Sequence, residues 1–345
     1  MFSFFNSLSK NKEIVRKCYL KVLEREPDEV GFNHFLQIMR GWMKPNGIDE
    51  KKLIEILKKS DEYKKIKLAR INDRKPKYKF KGLYGIEYLI RPNSVLDNDV
   101  AKNGVYDKWL CSKLKGLIHK DAVIFDVGAN AGLLSMPFAR VYVPNGYVYA
   151  FDPDVEVLNQ MRKNIKLNNF QNIIIEELAL QDNPKLNEIT LNKSRAVHDI
   201  GLRNDGLSTI EDDSIFRVGK EVIKASTIDK FVSEKNVDKL EFIKIDTEGS
   251  EYRVIKGGEK TIEKFYPVIF YEYQPFIGKS ISFKNMEESF KLLNKFGYKQ
   301  YLKVKGGKEN LIEMKKYSKD YPPSDIICFH KSKLKSYSHF IIANR

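Results

Sequence analysis

Val123-Ile-Phe-Asp126-Val-Gly128-Ala-Asn130-Ala-Gly132 decides how this chain is read. Its apolar run fits a strand buried on both faces, and the run ends on a carboxylate before breaking into a glycine-bearing turn. A second run, Tyr147-Val-Tyr-Ala-Phe151, ends on Asp152. Asp126 and Asp152 thus lie 26 positions apart at the tips of successive strands, a spacing that fits a nucleoside-binding β-α-β unit. Gly128 and Gly132 permit the tight turn and a close backbone approach to ligand. Asp152 is placed to accept hydrogen bonds from both hydroxyls of a ribose, or else to cap the helix starting near Asp154.

The turn separates the candidate cofactors. Dinucleotide folds usually carry G-x-G-x-x-G, with a helix N-terminus facing a pyrophosphate. Here the order is Gly128-x-Asn130-x-Gly132 behind Asp126. A carboxylate at that point repels a pyrophosphate and suits a cationic ligand end, such as the ammonium and sulfonium of S-adenosylmethionine. The methyl donor is the expected cofactor, and a dehydrogenase is disfavoured.

Further blocks follow in order: AFDP (Ala150 to Pro153), an asparagine-bearing helix (Asn164 to Asn169), ALQD (Ala179 to Asp182), STIDKF (Ser226 to Phe231) and IKIDTEGSEYRVIKGG (Ile243 to Gly258). With DVGANAG (Asp126 to Gly132), they make the chain from Tyr84 to about His330 resemble an FkbM-type class I methyltransferase. The resemblance implies an S-adenosylmethionine-dependent O-methyltransferase that needs no metal. It favours a sugar hydroxyl of a glycan, glycolipid or secondary metabolite as acceptor. The family more often has Glu where this chain has Asp152, and the shorter acid can still hold a ribose.

Composition bounds the alternatives. A chain of 345 residues with 42% hydrophobic content supports one large α/β domain plus a small accessory one. The net charge of +15 invites a nucleic-acid reading. The excess is dispersed, however: residues 1–72 hold 16 of the 61 Lys and Arg and 10 of the 46 acids. Cys18, Cys111 and Cys328 form no C-x-x-C pair, so neither a zinc site nor a disulfide framework is expected. The apolar start is too short for a signal segment and no run reaches membrane-spanning length, which makes the cytoplasm the default location.

Along the chain, residues 1–72 place apolar side chains at helical spacing (Ile14, Val15, Cys18, Tyr19, Val22 and Leu23, broken by Pro27) and read as a helical accessory domain. Tyr19-Leu-x-Val-Leu23-x-Arg25-x-Pro27-Asp28-x-x-Gly31 is similar to a helical family of unknown function found on bacterial glycan-modifying enzymes. It is a candidate surface for a protein partner. Residues 73–82 read as a basic linker, Arg74 to Lys81 being either a solvated connection or an arm for a phosphorylated or acidic partner.

Residues 83–345 read as a Rossmann-like, mostly parallel methyltransferase sheet. A hairpin is expected around Leu83 to Ile90 and a helix near Tyr106 to Leu117. Strands are expected at 122–127, 147–152, 172–178, 240–246 and 267–273, then a terminal antiparallel hairpin at 298–304 and 326–331 around a polar loop. Helices are expected at about 133–141, 154–168, 227–235 and 250–265. The segment 183–225 exceeds an ordinary connection and is a candidate lid.

In such sheets the ligand lies beyond the carboxyl ends of the strands. Asp126, Asp152, Asp246 and Glu272 should meet there. Asp126 either orients the methionine ammonium or merely bonds backbone amides. Adenine is expected near Glu177 to Leu180, against Ala179, with Asp182 as partner of its amine; both carboxylates read equally well as solvated acids. Asp246 and Glu248 are candidate bases for the acceptor hydroxyl or caps of the helix near Ser250. Lys244, Asp246 and Glu272 resemble the Lys/Asp/Glu sets of RNA ribose 2′-O-methyltransferases, which keeps RNA open as an acceptor. The other reading of Lys244 is a paired charge on the sheet face. His198, with an unperturbed pKa of roughly 6.5, is an alternative base or an exposed loop residue. A non-catalytic glycan-assembly module is the remaining alternative, counted against by the intact acids and glycines.

Overall fold

The chain starts with helices α1 (Phe2–Leu23), α2 (Glu29–Met39), α3 (Glu50–Leu57) and α4 (Asp61–Asn72). Residues 2–39, 48–194, 196–198, 201–204, 206–211, 217–273, 281–304, 310–318 and 320–343 are described in a computed structural model. Parts of the 183–225 segment and residues 274–275 therefore lie outside the described residues. Val15, Cys18 and Val22 recur at helical spacing on α1 and are buried against Leu36, Leu53, Leu57 and Ile66. Each such Val or Leu contributes about 1.5–3 kcal/mol. The side chains of Asp49 and Ser60 cap α3 and α4 by accepting from the amides of Lys52 and Tyr63.

Strands β1 (Tyr78–Lys81) and β2 (Glu87–Ile90) pair antiparallel, Tyr78 with Ile90 and Lys81 with Glu87. The expected hairpin thus starts earlier, and residues 78–81 of the stretch read as linker are strand. Helix α5 (Val95–Asn103), absent from the sequence reading because its apolar stripe is thin, precedes α6 (Lys108–Lys113). Strands β3 (Val123–Val127), β4 (Tyr147–Phe151) and β5 (Ile173–Glu176) follow, separated by the short α7 (Ser135–Pro137) and by α8 (Val155–Asn168).

The long insertion is a sheet of its own rather than a loop. Strands β6 (Ala179–Leu180), β7 (Glu188–Ser194) and β10 (Arg217–Ser226) make three strands with β10 central, and β8 (Ala196–Val197) pairs with β9 (Arg203–Asn204). Helix α9 (Ile228–Glu234) leads to β11 (Phe242–Ile245), then α10 (Glu251–Lys256), α11 (Glu259–Phe265) and β12 (Val268–Tyr273). The single helix expected at 250–265 is broken at Gly257-Gly258, where Gly258 leaves helical geometry (φ −117°, ψ 15°). Helix α12 (Ile281–Lys295) is absent from the sequence reading, although Met286, Phe290 and Leu293 stand at helical spacing and are buried. The chain closes with β13 (Tyr298–Val304), β14 (Asn310–Glu313), β15 (Ser324–His330) and α13 (Ser338–Ala343), so the region expected as polar loop carries a strand.

The main sheet runs β14-β13-β15-β12-β11-β3-β4-β5. Strands β12, β11, β3, β4 and β5 are parallel, and β15, β13 and β14 are antiparallel. The chain moves outward from β3 through β4 to β5, then returns to the other side of β3 as β11. That reversal opens a crevice between β3 and β11 at their carboxyl ends. Beneath it, Phe125, Phe151 and Phe231 pack edge to face at centroid distances of 4.8 to 5.7 Å and anchor the two strands that carry the acids.

Candidate functional site

A cleft of ≈ 370 Å³ lies at those carboxyl ends, lined among others by Gly128, Asn130, Asp152, Ala179, Asp246, Glu248 and Glu272. Gly128 has φ 76°, and a Cβ there would meet the Asp246 carbonyl oxygen at 1.8 Å. Only a hydrogen fits where the turn after β3 touches the loop after β11. Asn130, at φ 50°, holds its left-handed turn by accepting the Ala131 amide on its own Oδ1 at 2.7 Å.

The Asn130 amide donates to Asp152 Oδ2 at 2.9 Å, and the Asp154 amide donates to Oδ1 at 2.9 Å. The cap of α8 is Asp154, which accepts from the Glu156 amide, so Asp152 is not spent on capping. Each Asp152 oxygen keeps acceptor capacity for a hydroxyl. Burial pushes its carboxyl up to about 6, and the two amide bonds oppose that shift.

Asp126 sits behind the cleft wall. It has no exposed surface, takes Ser135 Oγ on Oδ2 at 2.5 Å, and leaves Oδ1 without a hydrogen bond at 3.4 Å from Lys244 Nζ. Lys244 Nζ donates to the Gly128 carbonyl at 2.8 Å and stands 3.4 Å from Asp246 Oδ2. Burial opposes its charge, but Asp246 and Asp126 outweigh burial and hold its pKa above the usual lysine range. A lysine so fixed braces the glycine turn and stays cationic. Gly132, at φ 75°, backs onto Met161 rather than lining the cleft.

The loop after β11 is braced from below. Glu251, fully buried, accepts on Oε1 from the Thr247 amide (2.9 Å), the Thr247 hydroxyl (3.1 Å) and the Gly249 amide (3.2 Å). Ser250, at the start of α10, makes no side-chain cap, and neither Asp246 nor Glu248 serves as one. Both carboxylates instead face the cleft, where Asp246, Glu248 and Glu272 each place an oxygen within 4.8 Å of the others. Burial, then the charges of Asp246 and Glu251, hold the Glu248 carboxyl well above the carboxylate range. Such a trio keeps a proton or accepts a divalent cation.

Sequence reasoning missed Tyr106, which lines the cleft. Burial, then Asp246, Asp107 and Glu272, push its hydroxyl well above the ordinary tyrosine pKa, so it is a neutral donor facing acids. It also missed Asn204 and Gly206 to Ile210, which form the wall opposite the sheet. That wall is tied to the helical unit: Arg203 pairs with Asp73 at 2.6 Å and Glu24 at 2.9 Å, and Asn72 Nδ2 donates to the Gly201 carbonyl at 2.8 Å. No motif marks either feature.

Besides Asp126 and Gly132, three further expected residues are not brought into the cleft. Glu177 is exposed and pairs with Arg162 at 2.8 Å. Asp182 lies 3.5 Å from Arg253, and His198 is exposed where β8 turns toward β9. Among the described residues no helix is long and apolar enough to cross a membrane.

The methyltransferase FkbM domain matches residues 126–299. No curated protein matches the chain. Among solved structures, a methyltransferase FkbM from Methylobacillus flagellatus KT is 15% identical over 92% of this chain and 60% of that chain, with a TM-score of 0.39. A precorrin-6y C5,15-methyltransferase from Geobacter metallireducens GS-15 is 14% identical over 66% of this chain and 88% of its own, TM-score 0.37. M. jannaschii TYW2 in complex with AdoMet is 15% identical over 74% and 87%, TM-score 0.35. This chain thus spans 60% of the M. flagellatus protein.

Proposed function

The chain belongs to the FkbM methyltransferase family, and on that premise we propose that it moves the methyl group of S-adenosylmethionine to a sugar hydroxyl of a glycan, glycolipid or secondary metabolite. The observation that carries this reading is the meeting of Asp246, Glu248 and Glu272 within 4.8 Å in the cleft that also holds Asp152. The residues suit the donor. Asp152 has free acceptor capacity for a ribose, the Leu178 to Leu180 stretch offers an apolar seat for a purine, and the acids suit a positive end. When bound, the donor supplies an electrophilic methyl on a cationic sulfur.

The rest is the chain's own work. Gly128 and Asn130 let backbone approach the ligand, and Lys244 and Glu251 fix the two loops from which the acids project. A hydroxyl is a weak nucleophile until it loses its proton. Positive charge arriving beside the trio lowers the pKa of Glu248, which frees it to take that proton. Asp246 is the other candidate, with Glu272 and Tyr106 placed to hold acceptor hydroxyls. Alignment in a site largely shielded from water is worth about 7–11 kcal/mol of barrier in well-oriented reactions. A reducing, cytoplasmic setting agrees with three buried, unpaired cysteines.

The RNA reading requires Lys244 to face the acceptor, whereas its ammonium is committed to the Gly128 carbonyl and two carboxylates. The test is titration of the full chain with S-adenosylmethionine and with NAD, then methyl transfer to sugars and to RNA oligomers. Binding of NAD alone would overturn the reading, and transfer only to RNA would move the acceptor class.

A further inference from the structure

A second basin of ≈ 340 Å³ opens beside the cleft and shares Asp154, Val157 and Ser208 with it. Its cations come from separate elements: Lys77 just before β1, Arg91 after β2, Lys163 on α8 and Lys193 on β7. Arg91 is neutralised by Asp97 at 2.9 Å, and Lys193 by Glu221 at 2.9 Å with Asp154 at 3.4 Å. The other two are not so matched. Lys77 Nζ donates to the uncharged Gln160 side-chain oxygen at 2.9 Å, and among the described residues no carboxylate forms an ion pair with Lys77 or Lys163. Burial, then the charges of Lys163 and Arg91, press the Lys77 pKa downward. Asp97 opposes that shift, and Asp154 and Glu156 also line the basin, so four cations stand there against two acids. The floor is polar, with Gln160 and Ser194 buried.

We propose that this basin binds a phosphoryl group, as a phosphate monoester or a diphosphate. A phosphate carries about −1.5 to −2 charge near neutral pH and three strong acceptor oxygens. It therefore matches two exposed ammonium groups that carry no ion pair and stand beside the Ser194 and Ser208 hydroxyls, where a carboxylate ligand neutralises only one. The basin gives the basic stretch before β1 a specific use: Lys77 faces the concavity from within it. Because the wall with the cleft is shared, the group belongs either to a phosphorylated acceptor or to a free phosphate or diphosphate acting as effector.

The test is isothermal titration of the full chain with inorganic pyrophosphate and, in parallel, with a hexose phosphate, at low and moderate salt. Wild type should bind at least one probe, more weakly as salt screens the charges. Lys77→Gln/Lys163→Gln should weaken binding by roughly tenfold or more, as for lost hydrogen bonds to charged groups. Lys115→Gln/Lys120→Gln removes the same charge from exposed sites elsewhere and should leave binding intact. Tighter binding of the ester assigns the basin to the acceptor. Tighter binding of pyrophosphate assigns it to an effector. Binding of neither probe, or equal weakening in both double variants, overturns the proposal.

Discussion

Arg203 reaches across 130 positions of sequence to Asp73, placing Nη2 2.6 Å from Oδ2. Its guanidinium is 7% exposed and also holds Glu24 at 2.9 Å, while Asn204 and Gly206 beyond it line the cleft. The helical unit thereby grips one wall of the cleft.

Read from sequence alone, residues 1–72 look removable. The Arg203 contacts lead to the opposite expectation: a chain beginning near Lys79 should lose S-adenosylhomocysteine affinity, because a buried guanidinium is left without counterions. Arg203→Ala in the full chain should lower stability by roughly 1–3 kcal/mol, less than for a fully buried pair because both acids are partly exposed. Calorimetric titration and thermal melts check both, and unchanged affinity in the truncated chain would detach the helical unit from the site.

Donor affinity should depend on pH through Asp152. Its carboxyl, held at about 6 by burial, must be ionised to accept from two hydroxyls, so affinity should be flat above pH 7 and fall as pH drops through 6. Asp152→Ala should cost roughly 1.5–3 kcal/mol of binding and remove the pH dependence. Titrations from pH 5 to 8 decide it.

Glu248→Gln and Asp246→Asn keep shape and remove a base. At least one should lower turnover by about 10²–10⁴-fold with donor affinity nearly kept. The two should part in stability. Glu248 has a folded pKa above its unfolded one, so its burial destabilises the fold increasingly as pH rises above the unfolded value. Glu248→Gln should therefore raise Tm near neutral pH, whereas Asp246→Asn takes a counterion from Lys244 and should lower it.

Turnover is expected to survive EDTA. If magnesium or manganese restores activity lost on chelation, the carboxylate trio is a cation site and the proton-transfer role passes to water bound there.

Asp126 within β3 and Asp152 just after β4 could be read from sequence because a buried strand, a forced glycine and a carboxylate near the strand end are all local signals. Tyr106 could not: it reaches the cleft by a return of the chain ahead of β3, with no periodicity to mark it. A β5 running to residue 178 would bring Glu177 and Asp182 to the cleft. The strand ends at Glu176 and the chain turns into β6, carrying both side chains to Arg162 and Arg253. The capping alternative for Asp246 and Glu248 was reasonable by spacing, but Glu251 reaches back to the loop amides instead.

The Asp73–Arg203 contact also sets an order of events during synthesis. At about 5–20 residues per second, translating from one partner to the other takes on the order of ten seconds. Glu24 and Asp73 leave the ribosome before Arg203, so both carboxylates meet solvent before they meet its guanidinium. The piece that will become the wall of the cleft emerges afterwards.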